Sequence, residues 1–209
     1  MIVKLAGTSG SGKSTFTLEF MKLWTFTPVL WSPDKPKTKE YVATVRKSDP
    51  LGKRFNRVVV LGDYRSPCGG MDGVSDKSQR YAMVARYSTV EHAKTLVLCE
   101  GLIFGGVYGV TEGLGVLSEK SPVPWVYAFM GTPLEVCLER CRQRRAARGV
   151  VEPMNPHNTT TKLQAVQCVK RRVENGGFKS QSVYTVDYKL KPATAVKRFI
   201  EYLGTFDGK

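Results

Sequence analysis

The chain has 209 residues, 42% of them hydrophobic and 24% charged, which is ordinary for a globular protein and suits one domain with a buried core. Its longest apolar runs, such as residues 95–99, are far shorter than the roughly 20 residues that cross a bilayer, and no secretory signal precedes residues 2–6, so we expect a cytoplasmic protein with no membrane contact. The 32 Lys and Arg against 18 Asp and Glu give a net charge of +14, a surplus that favours a polyanionic partner such as DNA.

The first predicted elements are an apolar strand, residues 2–6, a glycine-rich loop and a helix over residues 13–24. The loop matches the phosphate-binding pattern G-x-x-x-x-G-K-[ST] in full and has the strand and helix that the motif needs. Its glycines let backbone N–H groups face phosphate oxygens, and the helix adds its positive end. We expect Lys13 to contact the phosphates of ATP and Ser14 to offer its hydroxyl to Mg²⁺. The predicted nucleotide-binding residues are Gly7, Thr8, Ser9, Gly10, Ser11, Gly12, Lys13, Ser14 and Thr15.

Residues 26–56 are difficult to assign because four prolines interrupt them. Only two strand fragments are predicted there, at residues 29–31 and 41–46. The next clear strand is 57–61, and it leads into Gly62, Asp63, Tyr64 and Arg65.

A glycine-rich loop over residues 66–75 follows, and it contains Gly69, Gly70 and Asp72. We predict a helix over residues 75–92 after this loop, with Ser75 as its N-cap. One interpretation of the loop is a plain turn that leads to the cap. The other is a segment that approaches a substrate closely.

The apolar strand at residues 96–99 ends at Glu100. Parallel strands present their carboxyl ends to the ligand crevice, so we expect Glu100 to face the bound phosphates. There it would order a Mg²⁺-bound water or assist a catalytic base. The alternative is a glutamate on a solvated loop.

A strand at residues 123–130 and a helix at 133–148 carry the second phosphate-binding element. Arg140 and Arg144 are four apart and share a helix face, where they would stabilise charge on a transferring phosphoryl group. We expect Arg145 to contact the nucleotide as well, and residues of about 142–160 to form a lid. The alternative is a solvated arginine face.

The remaining predicted elements are a helix at residues 161–174, a strand at 182–186 and a helix at 193–203. Strands that alternate with helices predict one α/β domain over residues 1–209, in three layers, with helices on both faces of a parallel sheet. The cysteines Cys68, Cys99, Cys137, Cys141 and Cys168 lack the second pair that a zinc site needs, so we expect reduced thiols.

The loop, the strand and helix at 126–149 and the closing strand and helix resemble the nucleoside- and nucleotide-kinase branch of the P-loop proteins, over nearly the whole chain. The resemblance implies a parallel sheet of about five strands, ATP and Mg²⁺ as cofactors, and an arginine-bearing lid.

Asp63, Tyr64 and Arg65 resemble the Asp-Asp-Tyr-Arg of polynucleotide kinases, although Gly62 replaces one acid. This likeness implies that Asp63 is the base and a Mg²⁺ ligand through water, and that Arg65 steadies the phosphoryl group. Gly-Asp-Tyr followed by Gly-Gly-x-Asp resembles the phage kinases of 5-hydroxymethyluracil in DNA, a step toward hypermodified thymidine. That likeness implies that Tyr64, Gly69, Gly70 and Asp72 contact the substrate.

The sequence therefore predicts an ATP-dependent kinase of a DNA base, in the cytoplasm of the host cell if the chain is of phage origin. The DNA backbone would be held by the basic residues Lys35, Lys37, Lys39, Arg46, Lys47, Lys53, Arg54 and Arg57. Alternatives are a kinase of free deoxynucleosides or deoxynucleotides, a kinase of polynucleotide ends, and a non-catalytic nucleotide-binding partner of a DNA-modifying complex. The sequence leaves open whether Asp63, Asp72 or Glu100 is the base, and whether the chain forms a homodimer.

Overall fold

Apolar β-branched runs build a central sheet that organises the whole chain. The computed structural model describes residues 1–31, 39–64, 70–74, 76–101, 110–177 and 181–206. The strands are β1 (Ile2–Ala6), β2 (Thr27–Leu30), β3 (Lys39–Thr44), β4 (Arg57–Leu61), β5 (Thr95–Glu100), β6 (Trp125–Met130) and β7 (Gln181–Val186). The helices are α1 (Lys13–Met21), α2 (Lys77–Arg86), α3 (Val110–Lys120), α4 (Leu134–Ala146), α5 (His157–Glu174) and α6 (Pro192–Thr205), with 3₁₀ turns at Met71–Gly73 and Val90–His92.

The sheet has seven strands in the order β2-β3-β4-β5-β1-β6-β7, more than the five or so predicted. The strands from β4 to β7 in this order are all parallel. The two extra strands are antiparallel, β3 to β4 and β2 to β3. β2 has four residues, all exposed, and contains Pro28, while β3 is only partly buried, so both lack the continuous apolar runs of the buried strands.

Helices cover both faces of the sheet, as predicted. On one face α1 and α6 pack through Phe16 and Phe199, whose rings lie 5.6 Å apart, over Val3 and Val60. On the other face α2, α3 and α5 supply a second core, which includes Met83, Val84, Leu114, Val166 and Val169. The chain therefore forms a three-layer α/β arrangement with an antiparallel extension at one edge of the sheet.

Three helices differ from the sequence prediction. Helix α2 begins at Lys77 with Asp76 as its N-cap, where Asp76 Oδ1 accepts from Ser78 N at 2.9 Å; the predicted cap, Ser75, lies outside the described residues. Helix α3 was not predicted, because Gly113 and Gly115 lower its helix propensity. Helix α5 begins at His157, so the predicted lid includes the end of α4 and the first turn of α5.

The parallel strands all end at the same edge of the sheet. The phosphate-binding loop, residues 7–15, follows β1 there. Gly62 and Asp63 follow β4, and Glu100 is the last residue of β5. No helix in the described ranges is long and apolar enough to span a bilayer.

Candidate active site

The loop after β1 has the backbone form of a phosphate cradle. Gly10 and Gly12 have φ of 77° and 95°, which favours glycine at both positions. A Cβ on Gly10 would lie 2.2 Å from the Cys137 carbonyl oxygen, so α4 packs directly on the loop. Thr132 Oγ1 donates to Ser11 O at 2.7 Å and fixes the other side. The loop is thus held by α4, which carries the arginines, and by the segment just before that helix.

Lys13 is buried in the loop, with 9% of its surface exposed. Its Nζ donates to Gly7 O at 2.8 Å and to Thr8 O at 3.1 Å. Burial lowers its pKa, and the Glu100 charge opposes that shift. The loop carbonyls therefore hold the ammonium at the place where phosphates would bind.

Glu100 is hydrogen-bonded to α1 on both carboxylate oxygens. Ser14 Oγ donates to Oε1 at 2.9 Å and Thr17 Oγ1 donates to Oε2 at 2.9 Å. Burial raises the pKa of Glu100, which is only 1% exposed, while Lys13 and the two hydroxyls lower it. The sequence analysis missed Thr17, although it lies on the same face as Ser14, one turn along α1.

Gly70 is required next to this carboxylate. Its φ is 73°, and a Cβ there would lie 2.3 Å from Glu100 Cγ. The loop after β4 therefore approaches the end of β5 through backbone alone. Gly70 and Asp63 also form a backbone bridge, with Gly70 N donating to Asp63 O at 2.8 Å.

A cavity of about 660 Å³ joins these groups. Its charged lining consists of the lysine of the phosphate-binding loop, one carboxylate from β5 and one from the segment after β4, two arginines of α4, and two residues that the sequence analysis missed. These charged residues are Lys13, Asp72, Glu100, Arg140, Arg144, Lys162 and Asp187.

The three predicted arginines of α4 have different surroundings. Arg140 and Arg144 line the cavity, and Arg140 Nη1 donates to Gly10 O at 3.4 Å. Arg145 is not a lining residue, because its Nη2 donates to Glu152 O at 2.9 Å. Helix α5 also reaches the loop, where Thr8 Oγ1 donates to Thr159 O at 3.0 Å.

The predicted acceptor residues do not all converge on the cavity. Asp72 lines it, whereas Asp63 is not among the lining residues. Burial lowers the pKa of Lys13 and raises that of Glu100; the Asp72 charge partly offsets the first shift and adds to the second. Tyr64 packs on Tyr41 at a ring distance of 5.9 Å with its hydroxyl buried, and burial raises its pKa well above the ordinary value. Arg65 and Gly69 lie outside the described residues.

Lys4 is a buried charge in the central strand. Its Nζ donates to Gly101 O at 2.9 Å, and burial lowers its pKa to about 8, against the charges of Cys99, Asp72 and Glu100. A Cβ on Gly101 would lie 3.0 Å from Asp72 Oδ1, so Lys4 and Asp72 meet at Gly101. A lysine inside an apolar strand was the available signal, and the sequence analysis did not use it.

Arg54, one of the residues predicted to contact DNA, packs against the end of α6. Its Nη1 donates to Leu203 O at 2.8 Å and also to Phe206 O, at the end of α6. The guanidinium lies 5.7 Å from the Phe206 ring centre. Lys35 and Lys37 lie outside the described residues, whereas Arg46, Lys47 and Lys53 are exposed.

Two phage proteins are similar to this chain over most of its length. A 5-hmdU DNA kinase of Pseudomonas phage PaMx11 is 28% identical over 178 residues, which cover 85% of this chain and 87% of that protein. A 5-hmdU DNA kinase of Pseudomonas phage M6 is 22% identical over 169 residues, 78% of this chain and 82% of that protein. No protein-family profile matches the sequence.

A solved structure supports the fold independently. Deoxyadenosine kinase from M. mycoides matches with a TM-score of 0.51, over 99% of this chain and 100% of that one, at 12% identity. Identity at this level shows a shared fold alone. The chain is therefore a phosphotransferase with the P-loop kinase fold, similar in sequence to phage 5-hmdU DNA kinases.

Proposed function

We propose that the chain transfers the γ-phosphoryl group of ATP to the hydroxymethyl oxygen of 5-hydroxymethyluracil in DNA. The observation that carries this proposal is the meeting of Asp72 and Glu100 with Lys13 and Ser14 in one cavity. A binding protein needs the cradle, but only a transferase needs a second carboxylate placed to receive a proton beside it. The similarity to two kinases named for 5-hmdU in DNA supports the choice of acceptor.

The donor side uses the loop, Lys13 and the α4 arginines. The ammonium of Lys13 would exchange its bonds to Gly7 O and Thr8 O for phosphate oxygens. Arg140 and Arg144 would stabilise charge on the transferring group, and Arg65 would do so from the acceptor side.

Ser14 and Glu100 fit a Mg²⁺ ion, because both offer oxygen and their side chains already lie 2.9 Å apart. Mg²⁺, when bound, neutralises charge on the β- and γ-phosphates. Glu100 would orient its waters, the role that the polynucleotide-kinase resemblance also gives to Asp63.

The acceptor side needs a base. The hydroxymethyl oxygen forms a bond to the γ-phosphorus as the bond to the β,γ-bridging oxygen breaks, and the hydroxyl proton passes to a carboxylate. Asp72 is our first choice, since it lines the cavity, with Asp63 as the alternative that the polynucleotide-kinase resemblance favours. The modified nucleobase must leave the DNA stack to reach the cavity.

The test is transfer of labelled γ-phosphate to three acceptors: DNA containing 5-hydroxymethyluracil, unmodified DNA and free deoxynucleotides. We expect transfer to the modified DNA alone. Efficient transfer to free deoxynucleotides, or to ends of unmodified DNA, would establish one of the alternative kinases instead.

A further inference from the structure

The first turn of α2 contains two polar side chains that are almost wholly buried. Arg80 is 4% exposed and Gln79 is 8% exposed. Arg80 Nε donates to Val74 O, whereas its Nη1 and the Gln79 Nε2 are buried and have no hydrogen-bond partner in the described part of the chain. Buried donors of native proteins are nearly always paired, so two exceptions in one turn need an explanation.

Because Arg80 is charged, it is stronger evidence for a missing partner than Gln79. A guanidinium stays protonated inside a protein, and burying it without a partner is costly. Arg80 takes part in none of the ion pairs found among the described residues, unlike Arg86 of the same helix, which lies 3.9 Å from Glu40. A ligand oxygen is the natural missing partner.

The location agrees with a ligand contact. Helix α2 connects the parallel strands β4 and β5, so its first turn lies at the carboxyl edge of the sheet, the edge that carries Lys13 and Glu100. The bond to Val74 O also attaches Arg80 to the segment two residues beyond Asp72. Arg80 is therefore attached, through Val74, to the segment that carries the carboxylate we place at the acceptor hydroxyl, although Arg80 is not itself a lining residue of the cavity.

We propose that Arg80 determines acceptor specificity by donating from Nη1 to the C4 carbonyl oxygen of the pyrimidine, an inference that rests on the proposed function. In 5-hydroxymethyluracil the C4 carbonyl is adjacent to the carbon that carries the hydroxymethyl group. When that hydroxyl faces Asp72, the carbonyl faces the neighbouring segment, to which Arg80 is bonded. Gln79 supplies a second donor in the same turn.

This contact predicts rejection of 5-hydroxymethylcytosine. Cytosine has an amino group at C4, which is a donor, so Arg80 would stay buried and unpaired. Sites that leave a buried polar group unpaired discriminate strongly. We expect kcat/KM for 5-hydroxymethyluracil DNA to exceed that for 5-hydroxymethylcytosine DNA by roughly 100-fold or more.

The experiment compares wild type, Arg80→Met, Arg80→Lys and the control Arg198→Met on both modified DNAs. Arg198 is exposed on α6 and outside the cavity lining. We expect Arg80→Met to reduce kcat/KM for the uracil acceptor by roughly 100-fold, with KM for ATP unchanged and the preference over cytosine lost. Arg80→Lys should recover little, because lysine lacks the fixed fork, and Arg198→Met should behave as wild type.

Two further readouts separate the base contact from other roles. Neutral methylphosphonate linkages beside the modified nucleobase should leave unchanged the loss of kcat/KM that Arg80→Met causes. If that loss disappears with these linkages, Arg80 binds a phosphate and the proposal is overturned. The melting temperature of Arg80→Met should equal or exceed that of wild type, because an unpaired buried charge is removed.

A large fall in melting temperature together with unchanged uracil preference would show a structural role and overturn the proposal. Failure of the wild type to phosphorylate any 5-hydroxymethyluracil DNA would overturn the proposed function itself, and this inference with it.

Discussion

Lys13 is hydrogen-bonded to the carbonyls of its own loop, so its charge is available to phosphate without repacking the core. We expect Lys13→Ala to abolish phosphoryl transfer while the protein stays folded. Transfer assays and the melting temperature, measured on the same preparation, check this expectation. Near-normal turnover would contradict the role of the loop in catalysis.

The two aspartates of the acceptor side give a direct comparison. Asp72→Asn keeps the shape of the side chain but removes its ability to accept a proton, so we expect kcat to fall by about 10²-fold or more with little change in KM for ATP. Asp63→Asn is the matched variant and should have the smaller effect, because Asp63 does not line the cavity. The reverse ranking in steady-state kinetics would return the base to Asp63.

Lys4 predicts an unusual pH dependence of stability. A pKa lowered from 10.5 to about 8 corresponds to about 3 kcal/mol, and the hydrogen bond to Gly101 returns about 1. Below pH 8 both states bind the proton, so burial of the charge opposes folding in full; between pH 8 and 10.5 the unfolded state binds more protons, and stability rises with pH. We therefore expect Lys4→Met to be more stable than wild type by about 2 kcal/mol at pH 7.

Denaturant unfolding at several pH values measures this difference. The advantage of Lys4→Met should disappear toward pH 10.5, and Lys120→Met, a change at an exposed lysine of α3, should show no such trend. An advantage that stays constant with pH would mean that the pKa of Lys4 is the same in the folded and unfolded protein, so that burial does not lower it.

At the scale of elements, α2 positions both Arg80 and the segment that follows Asp72. Asp76 caps this helix by accepting from two backbone N–H groups. Asp76→Ala should lower the free energy of unfolding by about 1 kcal/mol, and Asp76→Ser should recover most of it, since serine is also a good N-cap. Urea titration tests both variants; equal loss in both would mean that the cap is not the source of the stability.

An element can be predicted from sequence when its apolar run or motif is long and contiguous. The buried strands β1, β4, β5 and β6 are continuous apolar runs and could be predicted from sequence, as could the loop from Gly7 to Thr15, because its whole pattern is contiguous. The antiparallel strands β2 and β3 and the helix α3 have weak local signals, and their neighbours in the fold determine them. The same holds for Lys162 and Asp187, whose place in the cavity depends on contacts between distant segments, and for Thr17, which bonds to the distant Glu100.

The choice between Asp63 and Asp72 shows this limit most clearly. Both follow β4 in the sequence, and a motif resemblance favoured the nearer one. Asp63 is instead paired with Gly70 through its backbone, and this bridge directs the chain so that Asp72 reaches the cavity. Only the folded structure shows which of the two aspartates lines the cavity.

At the scale of the whole molecule, the net charge of +14 supports DNA as the partner. Affinity for DNA should fall steeply with salt, because each phosphate contact releases a counterion. Charge reversal at the exposed Arg46, Lys47 and Lys53 should raise KM for DNA and flatten that dependence, with KM for ATP unchanged. The matched control reverses three exposed charges elsewhere, at Lys120, Lys197 and Arg198; an equal effect there would indicate attraction by net charge without a defined surface.

The edge strand β2 has a consequence for how the protein behaves in concentrated solution. Val29 and Leu30 are 41% and 48% exposed, and no described strand pairs with the outer side of β2. Such an edge is a template for strand addition between copies, which the mutual repulsion of like-charged molecules opposes at low ionic strength. Salt at about 1 M shortens the range of that repulsion to about 3 Å. High salt, which keeps many basic proteins free of nucleic acid, should therefore promote self-association of this one.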